Sequence, residues 1–252
     1  IANSIVEFSV EGYALLDITG LSNVTFSGLS FEQTKGNAVK TVDINNVDFE
    51  YCTFKNIGDK AIRQTASKMV STGSGHWQAA FGYADGAYNC DVRGCYFENM
   101  GSSAIYATGG NQDTLTPSGN IIEDNIICAA NQRYTIDSAL VFSGCGITLR
   151  RNVITKSSQH GLLIYGNDHV IEDNEFSDVL REVADAGVIY QGQHQLSRGN
   201  VIQRNLIHNV NPKDPRLISG TCGIYVDDRQ QGNTIINNFV IGIRGNGYNS
   251  NQ

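Results

Sequence analysis

Asp185 and the pair Asp227-Asp228 are the residues of this chain best placed to do chemistry. Asp185 closes a polar insertion, Ser177–Asp185, just before the strand signal Gly187–Gln191. Asp227 and Asp228 end the phrase GIYVDD one repeat later, and Asp137 stands at a third such place, before Ala139. Hydrolysis of a glycosidic bond needs two carboxylates flanking the bond, one to protonate the leaving oxygen and one as nucleophile or base. A separation of roughly 5 Å or 6.5–9.5 Å between them sets retention or inversion. Each Asp also has an ordinary reading as a turn residue, so the elements that carry them must decide.

Those elements are repeats. GLSF (Gly28–Phe31), YCTF (Tyr51–Phe54), GCYF (Gly94–Phe97), DNII (Asp124–Ile127), RNVI (Arg151–Ile154), DNEF (Asp173–Phe176), RNLI (Arg204–Ile207) and NNFV (Asn237–Val240) superimpose. Their closing apolar residues are 22 residues apart at the least (Ile154 to Phe176) and 43 at the most (Phe54 to Phe97), as a fixed rung with loops of varying length would give. Alternating apolar residues precede each phrase, and a small-then-apolar phrase such as AIYA or GVIYQG follows it. Period-two alternation marks strands with one buried face. Short strands stacked this way predict an all-β right-handed parallel β-helix of about eight or more rungs, read as one domain over 1–252. Two places before the closing residue come Leu29, Cys52, Cys95, Asn125, Asn152, Asn174, Asn205 and Asn238, a column expected to be structural.

The excess residues cluster. The connections 128–137, 177–185 and 208–221 are expected to project from one edge and wall a groove. The insertion 64–88 carries Trp77, the only Trp, either as a sugar-stacking platform or as packing for its own loop. Aligned on Ala104, Ala139, Gly161, Gly187 and Gly223, the outer face collects Asp137, Asp185, Asp227, Tyr165, Tyr225 and His160, with Asp228, Tyr190 and His194 beside them. In this register Asp185 and Asp227 lie about 20 Å apart along straight strands, and Asp137 and Asp185 about 10 Å apart across two rungs.

Composition agrees with many tight turns. Gly (27) and Asn (25) are abundant and Pro is scarce at 3, and Gly and Asn tolerate left-handed backbone. A net charge of −7 argues against a nucleic-acid partner, and no apolar run is long enough to span a membrane. The six cysteines form no CxxC pair, which argues against zinc; stacked thiols are the expected state. Ile1 is not an initiator Met and both ends read as strands without a cap, so the chain is expected to be part of a longer one.

GNDHVIEDNEF, EVADAGVIYQGQ, RGNVIQRNLIH and GIYVDDRQQGNTIINN resemble right-handed β-helix proteins of the carbohydrate-active class, glycoside hydrolase family 141 among them. The likeness is dense from about Asn120 to Asn238. It implies a secreted or periplasmic glycoside hydrolase acting on a plant, algal or microbial polysaccharide, with Asp185 and Asp227 as its acids and no cofactor. Where the resemblance implies an Arg-Asp, this chain has Gln193-His194. A polysaccharide lyase or uronate epimerase is the main alternative. It would use Arg181, Arg198, His160, His194 or Tyr165 as base or cation, or calcium at Asp185, Asp227 and Asp228. A non-catalytic glycan-binding or structural solenoid is the third reading.

Overall fold

Thr148–Arg150, Val153–Thr155 and Leu162–Ile164 make one complete rung. Leu149, Ile154, Leu162 and Ile164 are fully buried, and their neighbours in sequence turn outward. The cycle restarts at Val170, paired in parallel with Thr148. Repetition builds three parallel sheets of nine, eight and eight strands, a right-handed parallel β-helix. The computed structural model describes residues 12–67, 86–192, 197–214, 216, 220–228 and 230–251. Each rung passes through one eight-stranded sheet, then the other, then the nine-stranded sheet.

Strands of three residues bury little on their own, so the core forms between rungs. Phe26 stacks on Phe49 at 5.1 Å, and Phe31, Phe54 and Phe97 stack at 5.0 and 4.8 Å. Ile127, Ile154, Phe176 and Ile207 continue that column, all fully buried. Each such side chain contributes roughly 1.5–3 kcal/mol of burial.

Corners between the two eight-stranded sheets turn on a single left-handed residue, among them Tyr51, Asp124, Arg151, Asp173 and Arg204. The strain of left-handed backbone without glycine is partly offset by paired side chains. Arg151 grips both Asp124 oxygens, at 2.8 and 2.9 Å, and Arg204 grips both of Asp173 at the same distances. Next inward runs the expected amide column. Asn125 Nδ2 donates to Asn152 Oδ1 at 2.9 Å, Asn152 to Asn174 at 3.0 Å, Asn174 to Asn205 at 3.0 Å and Asn205 to Asn238 at 2.9 Å. Each Oδ1 also accepts the backbone N–H of the rung before, as with Asn125 N to Asn152 at 3.0 Å. Cys52 and Cys95 fill the same column as free thiols, and all six cysteines are unpaired.

A second column lines the turn out of the nine-stranded sheet. Asn120 and Asn200 accept backbone N–H bonds there at 2.9 Å each. His169, wholly buried, takes the same role through Nδ1, accepting Ile147 N at 3.0 Å, while Nε2 donates to Tyr165 O at 3.1 Å. The rungs approach closely at this turn. A Cβ on Gly144 would lie 2.1 Å from Gly109 O, and its φ of +104 suits glycine.

Replacing Asn152 with Ala deletes five hydrogen bonds and strands the buried Asn125 N–H. The expected loss is at least about 3 kcal/mol, read from urea unfolding. Burial pushes the His169 imidazole down to about 4. Below pH of about 6.5 the unfolded chain takes up a proton that the folded chain refuses. Its stabilisation is therefore complete above pH 6.5 and falls by roughly 3 kcal/mol as the pH drops toward 4. His169→Asn, copying Asn120 and Asn200, should match the parent at pH 7.5 and lose less stability at pH 5.

Candidate functional site

The outer face of the nine-stranded sheet carries one column in register: Arg63, Tyr106, Val141, Leu163, Tyr190 and Tyr225. Over its middle lies an open groove of about 560 Å³. Ile136 and Asp137 from the 128–137 connection, and Val183, Ala184 and Asp185 from 177–185, form its wall. Among the described residues none of 208–221 lines it. A larger opening of about 650 Å³, lined by Ile224, Ile235, Val240 and Tyr248, is the end face of the core and holds no carboxylate. Of the two, the smaller space is the one lined by carboxylates, Asp137 and Asp185.

The register differs by one residue from the sequence expectation. Leu162 pairs with Ile189, so Gly161 is level with Val188 rather than Gly187, and Tyr190 rather than Ile189 faces outward. Asp185, in left-handed backbone (φ 53), immediately precedes the strand Ala186–Gln191. Gly161 is required for another reason: a Cβ there would lie 2.6 Å from the Phe176 ring.

This register also places the acids. Asp185 is exposed on the groove wall and receives the Tyr225 hydroxyl at 3.5 Å. Asp137 lies on the same wall, bonded by the Ser102 hydroxyl and 3.7 Å from Lys60 Nζ. Asp227 is 8% exposed and outside the groove lining. It accepts Tyr190 OH at 2.9 Å, Asn251 Nδ2 at 3.0 Å and the Asp228 N–H at 2.8 Å. Asp228 itself is exposed. Two tyrosines bridge the distance between Asp185 and Asp227: their rings meet edge to face at 5.3 Å, and each hydroxyl bonds one acid. Burial, then the charges of Asp227 and Asp185, push the Tyr225 phenol up to about 12. Burial also pushes Tyr190 up, reinforced by its bond to Asp227.

His160 stacks on Tyr190 at 4.7 Å and lines the groove. Its Nδ1 lies 2.8 Å from Gly187 O; a carbonyl only accepts, so the proton sits on Nδ1. Burial pushes the ring down to about 4, leaving it neutral with Nε2 as an acceptor. Tyr106 and Tyr165 line the groove as phenols raised by burial to about 12. Ser103, Ser138 and Gln159 also line the groove, and their Oγ, Oγ and Oε1 atoms are buried with no hydrogen-bond partner among the described residues. A buried polar atom so left costs about 1–3 kcal/mol. Trp77 and His194 lie outside the described residues. No group of three metal-binding side chains converges among the described residues.

Sequence reasoning missed Lys60, Ser103 and Ser138 as groove residues. They share a signal with His160: a polar residue directly before the small one in KAIR, SAIY, SALV and HGLL.

The sequence matches the family described as right handed beta helix region over residues 1–138 and 83–252, and the chain belongs to it. No curated protein matches. Among solved structures it is similar to one titled "Glycoside hydrolase", with 12% identity and a TM-score of 0.51, covering 84% of this chain and 38% of that one. It is similar also to the Siphovirus 9NA tailspike receptor binding domain, at 12% identity and TM-score 0.37, covering 90% of this chain and 46% of that one. PfbA, a surface adhesin of Streptococcus pneumoniae, shows 13% identity and TM-score 0.36, covering 95% and 77%. The chain thus spans 38% of the glycoside hydrolase's length, and at these identities the likeness is one of fold.

The fixed His160 tautomer can be tested directly. Nitrogen-detected NMR from pH 8 to 5 should show a neutral ring protonated at Nδ1 throughout. An imidazolium signal growing in near pH 6.5 would contradict the burial and the Gly187 bond.

Proposed function

We propose that this protein is a glycoside hydrolase of the cell exterior that cuts a polysaccharide lying in the groove. One observation carries the reading: Asp137 and Asp185 line the same open wall. Two rungs separate them, about 10 Å between backbones, which side chains can close to the 6.5–9.5 Å of inverting enzymes. Asp185, exposed on the wall, is assigned as the general acid that protonates the leaving oxygen. Asp137, fixed by Ser102 and Lys60, is assigned as the base that draws a proton from the attacking water. Asp227 is assigned to hold Tyr190 in position, because it accepts the Tyr190 hydroxyl and does not line the groove. The likeness to a glycoside hydrolase supports the carbohydrate class.

Of the bases a lyase would use here, Tyr165 is disfavoured. A lyase needs a base poised near neutral pH to remove a carbon-bound proton. The phenols of Tyr106 and Tyr165 are pushed up to about 12 and hold their protons at neutral pH.

Wild type and the variants Asp185→Asn, Asp137→Asn and Asp227→Asn should be assayed on neutral and uronate-containing polysaccharides. New reducing ends are expected, falling at least about 100-fold in the first two variants and less than about 10-fold in the third. Ultraviolet absorbance from unsaturated uronates would hand the case to the lyase. An Asp227→Asn loss as large as that of Asp185→Asn would restore the pairing first read from the sequence. No new ends from any polysaccharide would favour a binding solenoid.

A further inference from the structure

Asp137, Asp185 and Asp227 are held very unequally. Asp227 accepts three hydrogen bonds, from Tyr190 OH, Asn251 Nδ2 and the Asp228 N–H. Asp137 takes the Ser102 hydroxyl and stands beside Lys60. Asp185 has a single hydrogen-bond donor among the described residues, the Tyr225 hydroxyl, and at 3.5 Å that contact is slack. A hydroxyl bonded to a full carboxylate closes to about 2.5–2.7 Å. Closure by roughly 1 Å is therefore still open to this pair.

The phenol is the fixed partner. Tyr225 is 7% exposed, and its ring meets Tyr190 edge to face at 5.3 Å. Its Cβ lies so near Gly187 that a Cβ on that glycine would come within 2.7 Å of it. Asp185 is exposed, so closure comes from rotation of the acid. Burial, then the charges of Asp227 and Asp185, push the phenol up to about 12, so it keeps its proton and serves only as a donor. Its neutrality matters. A cation in the same place would hold Asp185 ionised at every stage. A hydroxyl bonds the neutral acid weakly and the anion strongly.

We propose that Tyr225 is a positioning residue for Asp185, its hydroxyl closing on the carboxylate as that acid delivers its proton. In that step the proton passes from Asp185 to the glycosidic oxygen, and the bond from that oxygen to the sugar carbon breaks. Water adds to the carbon and gives its own proton to Asp137. The charge left on Asp185 is met by the Tyr225 O–H, which stays intact throughout. A contact that strengthens between ground and transition state raises kcat and leaves substrate binding alone. The role rests on the hydrolase reading, while the contact itself is open to a test that needs no substrate.

Tyr225→Phe keeps the ring and removes only the hydroxyl. On a polysaccharide that yields new reducing ends, kcat is expected to fall at least about tenfold, with KM changed less than about twofold. The 4-nitrophenyl glycoside of the released oligosaccharide has a leaving group that needs no proton, so Tyr225→Phe should slow its cleavage less than about threefold. Equal losses on both substrates, or a raised KM with kcat unchanged, would overturn the assignment. The contact is read by carbon NMR of tyrosine labelled at Cζ, the Tyr225 signal being the one missing from Tyr225→Phe. That signal should move in Asp185→Ala and stay in place in Asp137→Ala. A signal indifferent to Asp185→Ala would sink the inference whether or not the protein cuts any glycan. A signal that moves in a protein releasing no reducing ends would withdraw the hydrolase and the catalytic role together and leave the contact standing. Circular dichroism melting checks that Tyr225→Phe folds; if it does not, the Asp185→Ala spectrum decides.

Discussion

Every feature of this molecule answers to the spacing of stacked parallel strands, about 4.8 Å from one rung to the next. At that distance side chains at one register position touch, so each rung must show its neighbour a surface of the same kind. Strands of three residues have no stability of their own. They persist because Phe31, Phe54 and Phe97 stack, and because Asn125 through Asn238 pass one hydrogen bond after another down the axis. Amides suit that task, since each can accept from one rung and donate to the next.

The same closeness makes like charges in a column costly, as at Asp48 and Asp91, where burial and then the Asp48 charge raise the Asp91 carboxyl. One eight-stranded sheet accordingly presents Glu50, Arg93, Glu123, Arg150 and Glu172 in alternation. Glu123 is almost covered by Arg93, Arg150 and Arg151. Burial alone would raise its carboxyl, and bonds from Arg150, Arg151 and Arg93 outweigh that and hold it low. The groove departs from this rule. Its floor is apolar where a solvent-facing column should be polar or alternating, and its acids stand on the wall, Asp137 and Asp185 two rungs apart with Gln159 between.

The rungs were legible because alternation and the recurring phrases report directly on which faces are buried. Of the three connections expected to wall the groove, residues of 128–137 and 177–185 line it, and among the described residues none of 208–221 does. The one-residue shift at Asp185 was not legible. Gly187 repeats the small residue of the other rungs, yet it is Val188 that lies level with Gly161, and this puts Tyr190 rather than Ile189 on the outer face. That exchange is what brings a phenol to Asp227. The polar row went unread for a different reason. Lys60, Ser103, Ser138 and His160 share a position but not a chemistry, and only the paired register shows that they are neighbours.

The direction of the bonding has a mechanical meaning. Strand pairing in all three sheets and the amide column point along the solenoid axis, perpendicular to the strands. Tension applied end to end is therefore shared among three sheets' worth of bonds at each junction, and these must rupture together before any two rungs part. A force peeling one strand sideways meets them one at a time. The rod is thus stiff against a pull along its length and weak against prying at its side, the anisotropy of a stacked column rather than of a globule.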